Sequence, residues 1–95
     1  MLKINEYFEG KVASIALQTK TLAATVGVMD IGDYQFDTSQ HEVVTVIQGH
    51  LKVKLPESES YQDFYDGDVF EVAAERSFSL SVPIQTAYFC TYEDK

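Results

Sequence analysis

From Ser77 to Val82 a serine and a large apolar residue take turns: Ser77, Phe78, Ser79, Leu80, Ser81, Val82. A period of two belongs to an extended strand, because successive side chains leave the pleated backbone on opposite faces. A helix of the same residues would scatter its apolar groups around the whole circumference. Leu51, Val53 and Leu55 alternate with Lys52 and Lys54 in the same way. The 43–47 run is apolar or threonine at both parities, which predicts a strand covered on both faces. Further strands are predicted near 11–17, 22–30, 33–37, 61–65, 69–73 and 86–92. Turn residues punctuate them at Gly10, Asp30 to Asp33, Thr38 to Gln40, Gly49, Pro56 to Ser60, Asp66 to Asp68 and Pro83. Short strands at spacings of about 8–12 residues predict an all-β sandwich or closed barrel with little or no helix.

The chain has 95 residues, 45% of them hydrophobic, with six tyrosines and six phenylalanines. That is enough apolar surface for one core, so residues 1–95 are expected to form a single domain. A net charge of −8 argues against nucleic acid, which needs a basic surface to displace counterions. It disfavours an anionic membrane face as well. No apolar run approaches the roughly 18 residues of a membrane span. The first residues, Met1 to Phe8, lack the apolar core and cleavage site of a signal peptide. Cys90, the single cysteine, has no internal disulfide partner, and a cytoplasmic location is the simple expectation.

Two strand-like runs, Glu42 to Gln48 and Leu51 to Leu55, meet across Gly49-His50, and the turn Asp66-Gly67-Asp68 leads into Val69 to Val72. This layout resembles the small β-barrel of cupin type, a jelly roll or double-stranded β-helix whose members usually hold a metal through histidines. Glu42 and Gly49 match the glutamate, six residues and glycine that end the first cupin motif. Its histidines belong at 36 and 38 or at 35 and 37, where this chain has Gln35, Phe36, Asp37 and Thr38. Gly67 opens the second motif, but Ala73, Glu75 and Phe78 stand where proline, glycine and histidine belong. His41 and His50 are not spaced to bring two imidazoles and a carboxylate to one inward face, so no metal site is expected. A metal-dependent cupin enzyme is retained as the weaker alternative.

Motif positions face the barrel mouth, so their replacements describe a pocket. Phe36, Thr38, Glu42 and Phe78 are expected to meet there, with Arg76, the chain's only arginine, at Phe78's parity. Two aromatic faces, a hydroxyl, a carboxylate and a guanidinium suit a small ligand carrying a flat ring and hydroxyls. The plainer account is that Phe36 and Phe78 only fill a small barrel. Arg76 equally fits a solvated loop, pairing weakly with Glu75 or Glu71. Glu42 resists the plain account, because a carboxylate on an apolar strand costs desolvation unless it is paired or faces a ligand. Cys90, within Tyr88-Phe-Cys-Thr-Tyr92, reads as a buried inert thiol. The aromatics of Asn5 to Phe8 are read as a staple onto a dimer partner.

Taken in order, these pieces resemble the small cupin-fold pyrimidine/purine nucleoside phosphorylases of bacteria, almost from end to end. The carriers are Asn5 to Phe8, Gly10 to Val12, Val26 to Met29, Tyr34, Phe36 and Glu42. They continue with Thr45 to Ile47, Gly49, Leu55-Pro56, Gly67, Val69-Phe70, Val72, Ser77-Phe78, Tyr88, Cys90 and Tyr92. The chain departs at Ala73 to Arg76, where the family tends to have a proline followed by small or polar residues.

The resemblance implies phosphorolysis of purine and pyrimidine nucleosides to free base and ribose 1-phosphate. It implies no organic cofactor, with inorganic phosphate as co-substrate, and related cupins suggest a homodimer. Glycosidic cleavage passes through a cationic, oxocarbenium-like sugar. Glu42 is then the expected catalytic carboxylate, holding ribose hydroxyls and placing negative charge near that cation. Phe36 and Phe78 would stack the base or sugar, and Thr38 and Thr45 would hydrogen-bond. Arg76, hydroxyls or backbone N–H groups would hold phosphate, and water, Tyr88 or Tyr92 would protonate the base. A non-catalytic cupin module binding a small polar ligand is the competing reading.

Overall fold

The structure, a computed structural model, describes residues 1–94 and contains ten β-strands and no helix among them. They are β1 (Ile4–Tyr7), β2 (Val12–Gln18), β3 (Ala23–Met29), β4 (Gly32–Asp37), β5 (His41–Gln48), β6 (His50–Lys54), β7 (Gln62–Tyr65), β8 (Val69–Val72), β9 (Ser77–Val82) and β10 (Thr86–Glu93). Nine of the ten lie where the apolar pattern and the turn residues place them. β1 is the exception: four residues at the edge of a sheet, with no alternation long enough to announce it.

The strands form two sheets, in the orders β1-β2-β3-β10-β5-β8 and β4-β9-β6-β7, with antiparallel pairing throughout. From β3 onward the chain passes repeatedly between them, so the fold is a jelly roll with two facing sheets rather than one closed ring of hydrogen bonds. The inner faces make one core. Val12, Met29, Val44, Val46 and Tyr88 come from the larger sheet, and Tyr34, Leu51, Val53, Phe78, Leu80 and Val82 from the smaller. Val12, Val46, Leu51 and Val53 have no solvent exposure, and burying each such side chain stabilises the fold by about 1.5–3 kcal/mol.

The serines of β9 follow from the register. Ser79 and Ser81 face outward beside Lys54 and Lys52 on one flank and Gln35 and Asp33 on the other. The outer face of the larger sheet is the opposite case, since Ile15, Leu17, Val26 and Val28 are all exposed there. β5 is less enclosed than its sequence predicts: Val43 and Thr45 are half-buried and Ile47 is exposed on its outer face.

The two cupin-motif glycines are joined through their turns. Gly49 N–H donates to Asp66 Oδ1 at 2.7 Å, and Gly67 N–H donates to the Val46 carbonyl at 2.7 Å. At Gly49 (φ 128°) a Cβ would collide with the fully buried Thr86. Thr86 Oγ1 in turn accepts from His50 N–H at 3.0 Å. The glycine that ends the first motif is therefore fixed by packing, whatever the pocket holds.

Candidate functional site

At one end of the sheets lies a cavity of about 200 Å³. Its walls come from β1, β2, β3, β4, β5, β8, β9 and β10, and its polar groups are Tyr7, Ser14, Asp37, Glu42, Tyr88, Cys90 and Tyr92. Period-two geometry puts those of β5 and β10 there. Glu42 shares β5's inward parity with Val44 and Val46, and Tyr88, Cys90 and Tyr92 share β10's. Tyr92 sits directly across the ladder from Glu42.

Glu42 is the centre of this arrangement. Its Oε1 lies 3.6 Å from Cys90 Sγ, and no ion pair among the described residues involves it. Desolvation raises its pKa above the ordinary carboxylate value, and the Cys90 thiol offsets only part of that rise. The neighbouring groups are shifted upward too. Burial, reinforced by the Glu42 charge, pushes the Cys90 thiol to about 12. Burial pushes Tyr88 to about 12 against a hydrogen bond with Ser14, and it raises Tyr92 as well. Tyr92 and Thr25 share a hydroxyl–hydroxyl bond of 3.0 Å. At neutral pH Tyr88, Cys90 and Tyr92 are thus protonated donors around a carboxyl group with no cationic partner among the described residues.

Tyr88 needs a glycine opposite it. Gly27 faces Tyr88 across the β3–β10 ladder, and a Cβ there would stand 2.6 Å from the phenol oxygen and 2.7 Å from the Ala13 carbonyl. A glycine inside a strand often marks such a close approach.

Aromatic rings line the other side. Phe36 and Phe78, paired across β4 and β9, stack with centroids 5.8 Å apart and planes at 26°. Phe8 meets Phe36 edge-on at 5.4 Å and Tyr34 at 4.9 Å. The N-terminal aromatics therefore seat on their own barrel: β1 pairs with β2, Phe8 packs on β4, and Tyr7 forms part of the cavity wall. Both rings keep exposed surface, Tyr7 at 47% and Phe8 at 42%, so this seating leaves the sequence expectation of a partner contact standing.

Of the eight residues singled out from sequence, Glu42, Phe36, Phe78, Tyr88 and Tyr92 line this cavity and Thr38, Thr45 and Arg76 do not. Thr45 has the opposite parity to Glu42 and lies on the outer face, between Phe89 and Val69. Thr38 lies just beyond β4, where its buried hydroxyl donates to the Ala73 carbonyl at 2.7 Å and accepts from Arg76 N–H at 3.0 Å. That clasp ties the 73–76 turn to β4. Arg76 precedes β9, so strand parity does not govern it; its exposed guanidinium donates to the Glu75 carbonyl at 3.2 Å. His41 and His50 also face away from the cavity, bonded to Glu71 at 2.9 Å and Asp63 at 2.8 Å. Among the described residues no group of three or more His, Cys, Asp or Glu side chains is placed to hold a metal ion.

Sequence reasoning missed Tyr7, Ser14 and Asp37. Asp37 stands at a position where the cupin motif puts histidine, which was the available signal. Its Oδ1 accepts a short hydrogen bond from Ser77 Oγ across the β4–β9 pair.

The architecture and this cavity define a cupin-class protein. Solved structures agree: an RmlC-like cupin from Shewanella frigidimarina superposes with a TM-score of 0.77 at 20% identity over 99% of this chain and 85% of that one. A protein of unknown function from Vibrio parahaemolyticus gives 0.94 at 36% identity, covering 98% and 99% of the two chains. A family model described as pyrimidine/purine nucleoside phosphorylase matches residues 2–92. A protein of that name from Hahella chejuensis is 63% identical over 97% of this chain and 99% of its own, and one from Alcanivorax borkumensis is 55% identical over 97% and 98%. The chain belongs to the pyrimidine/purine nucleoside phosphorylase family.

Proposed function

We propose that this protein is a pentosyltransferase of broad base specificity, converting purine and pyrimidine nucleosides and phosphate to free base and ribose 1-phosphate. The observation that carries the reading is Glu42: a desolvated carboxylate without a cationic partner among the described residues, set in an aromatic cavity. A cationic sugar is the partner such a group lacks. The interaction strengthens as positive charge develops at the anomeric carbon, so it favours the transition state over the neutral nucleoside.

The cavity's size divides the substrate. About 200 Å³ is smaller than the roughly 300–1,000 Å³ of sites that enclose drug-sized ligands. One ring is enclosed and the other stays at the mouth. With the sugar inside beside Glu42, the base lies near Phe36 and Phe8, whose faces stack a ring without reading its edge. Tolerance of both base classes follows from that placement. Tyr88 and Tyr92, held protonated, are the donors for the leaving base or the sugar hydroxyls. Phosphate is received at the mouth by hydroxyls and backbone N–H groups, while Arg76 remains on the surface. In this reading Thr38 supports the site by holding the 73–76 turn, and Thr45 has no contact with substrate.

The reading includes inorganic phosphate as co-substrate, no organic cofactor, no metal, a cytoplasmic location and a homodimer. No helix among the described residues is long and apolar enough to cross a membrane. The exposed Ile15, Leu17, Val26 and Val28 supply an apolar sheet face for self-association.

Purified protein mixed with uridine or adenosine, with and without phosphate, tests the reading by chromatography of the products. Phosphate-dependent release of base together with ribose 1-phosphate is expected. Nucleoside binding without release of any base would instead identify a binding module.

A further inference from the structure

Beside the phenol of Tyr92 sits a second hydroxyl. Thr25, on the inner parity of β3, is only 8% exposed and does not itself border the cavity. Among the described residues its hydroxyl has one partner, the Tyr92 phenol at 3.0 Å. The two belong to a chain of polar groups that crosses β3, β10 and β5, and its far end sets its direction. A carboxylate can only accept, so the Cys90 thiol points its proton at Glu42 Oε1, 3.6 Å away. The Tyr92 hydroxyl bonds the Cys90 sulfur in turn, and Thr25 donates to the phenol oxygen. Reversed, that last bond would leave the threonine proton buried without an acceptor, which desolvation penalises. The phenol proton is thereby turned away from β3 and rests on sulfur, a weak acceptor that a hydroxyl oxygen readily replaces. Tyr92 stands directly across the β10–β5 ladder from Glu42, so the two side chains are neighbours on one face. Tyr88 lies deeper, opposite the fully buried Val46.

We infer that Tyr92 is the donor that holds the sugar's vicinal hydroxyls against Glu42, and that Thr25 is a positioning residue that turns the phenol proton toward them. The inference rests on the placement of the sugar beside Glu42 proposed above, and not on the fate of its bond to the base. A donor next to an acceptor matches a hydroxyl, which accepts and donates at once, and a pair of adjacent hydroxyls satisfies both groups. As the sugar enters, one of its hydroxyl oxygens replaces the Cys90 sulfur as acceptor of the Tyr92 proton. The sugar's own hydroxyl protons are donated to the Glu42 carboxylate. The polar side chains of this rung therefore read the sugar, while the base meets aromatic faces.

Calorimetric titration of the full chain with adenosine, 2′-deoxyadenosine and 3′-deoxyadenosine in phosphate-free buffer tests this, because binding is read whether or not turnover follows. Tyr92→Phe should weaken adenosine binding about 2–10-fold, the worth of one uncharged hydrogen bond. The loss should vanish for the deoxynucleoside that lacks the hydroxyl Tyr92 holds, a cancellation that a merely structural role would not produce. Thr25→Val, which keeps the shape and removes the hydroxyl, should weaken adenosine binding by a smaller factor, and Thr25→Ser should restore it. Thr25→Val should add nothing in a Tyr92→Phe background, since the first residue acts through the second. Equal losses in Tyr92→Phe for all three nucleosides would overturn the assignment of Tyr92 to the sugar. Wild-type binding by Thr25→Val, or a full additional loss in the Tyr92→Phe background, would overturn the positioning role. The expected pattern without release of base once phosphate is added would sink the phosphorylase reading and leave this one standing. Failure of every nucleoside to bind would overturn both.

Discussion

Glu42 sets function against stability at a single position. Its folded-state pKa is raised, so between the unfolded and folded values the native protein binds more protons than the unfolded chain does. Stability contributed by the protonated form is therefore present at acid pH and lost as pH rises through that window. Glutamine keeps the shape and removes the charge. Glu42→Gln is predicted to lower base release by about 10²–10³-fold, the usual effect of deleting a key electrostatic stabiliser. Its melting temperature should match wild type at acid pH, below the ordinary carboxylate value, and exceed it once pH rises through the raised folded-state value, read from paired thermal melts at stepped pH. A variant that keeps full activity would remove Glu42 from the mechanism, and a melting temperature that falls below wild type at neutral pH would show that the ionised carboxylate has a stabilising partner.

At the scale of strands, the β2–β3–β10 ladder sets the depth of the cavity. Ser14 and Gly27 are paired across it, Gly27 faces Tyr88, and the Tyr88 phenol lies over the glycine. Gly27→Ala forces the ring or the backbone at Ala13 to shift. Overpacking of this kind costs about 1–3 kcal/mol, which in a chain this short lowers the melting temperature by roughly 4–8 °C per kcal/mol. The displaced phenol should also raise KM for every nucleoside, measured by steady-state kinetics. An unchanged melting temperature and KM would mean that Tyr88 has free space elsewhere. The same scale explains what was and was not legible in sequence. Alternation and turn residues located nine strands, and motif spacing correctly put Glu42 on the inner face. Strand geometry does not govern turns, which is why Arg76 and Thr38 were misplaced: Thr38 follows β4, Arg76 precedes β9, and Glu75 (φ 60°) reverses the backbone just before Arg76. Thr45 was misread for a different reason. β5 is apolar or threonine at both parities, and only the sheet partners tell inside from outside.

For the molecule as a whole, the order of strands and the closing of one end by aromatics were beyond the sequence. Pairings such as β10 with β5 join residues far apart in the chain, and no local pattern encodes them. Asp37 shows the cost: the motif marked its position, but which residues border a common cavity depends on how the two sheets pack. The β1 hairpin was invisible for a related reason. Its turn places Phe8 and Glu9 at φ 54° and 59° ahead of Gly10 at 86°, a left-handed path that sequences usually mark with asparagine or glycine. Non-glycine residues held there are strained, and here the strained turn delivers Phe8 to Phe36. Because β1 has a neighbour on one side only, this wall is held by one short ladder and a few ring contacts. It should therefore fray while the rest stays folded, so the cavity would open by peeling its edge strand instead of parting its sheets. Amide hydrogen exchange tests this directly: β1 is predicted to exchange much faster than β10 and to slow when nucleoside binds, and equal protection of the two strands would rule it out.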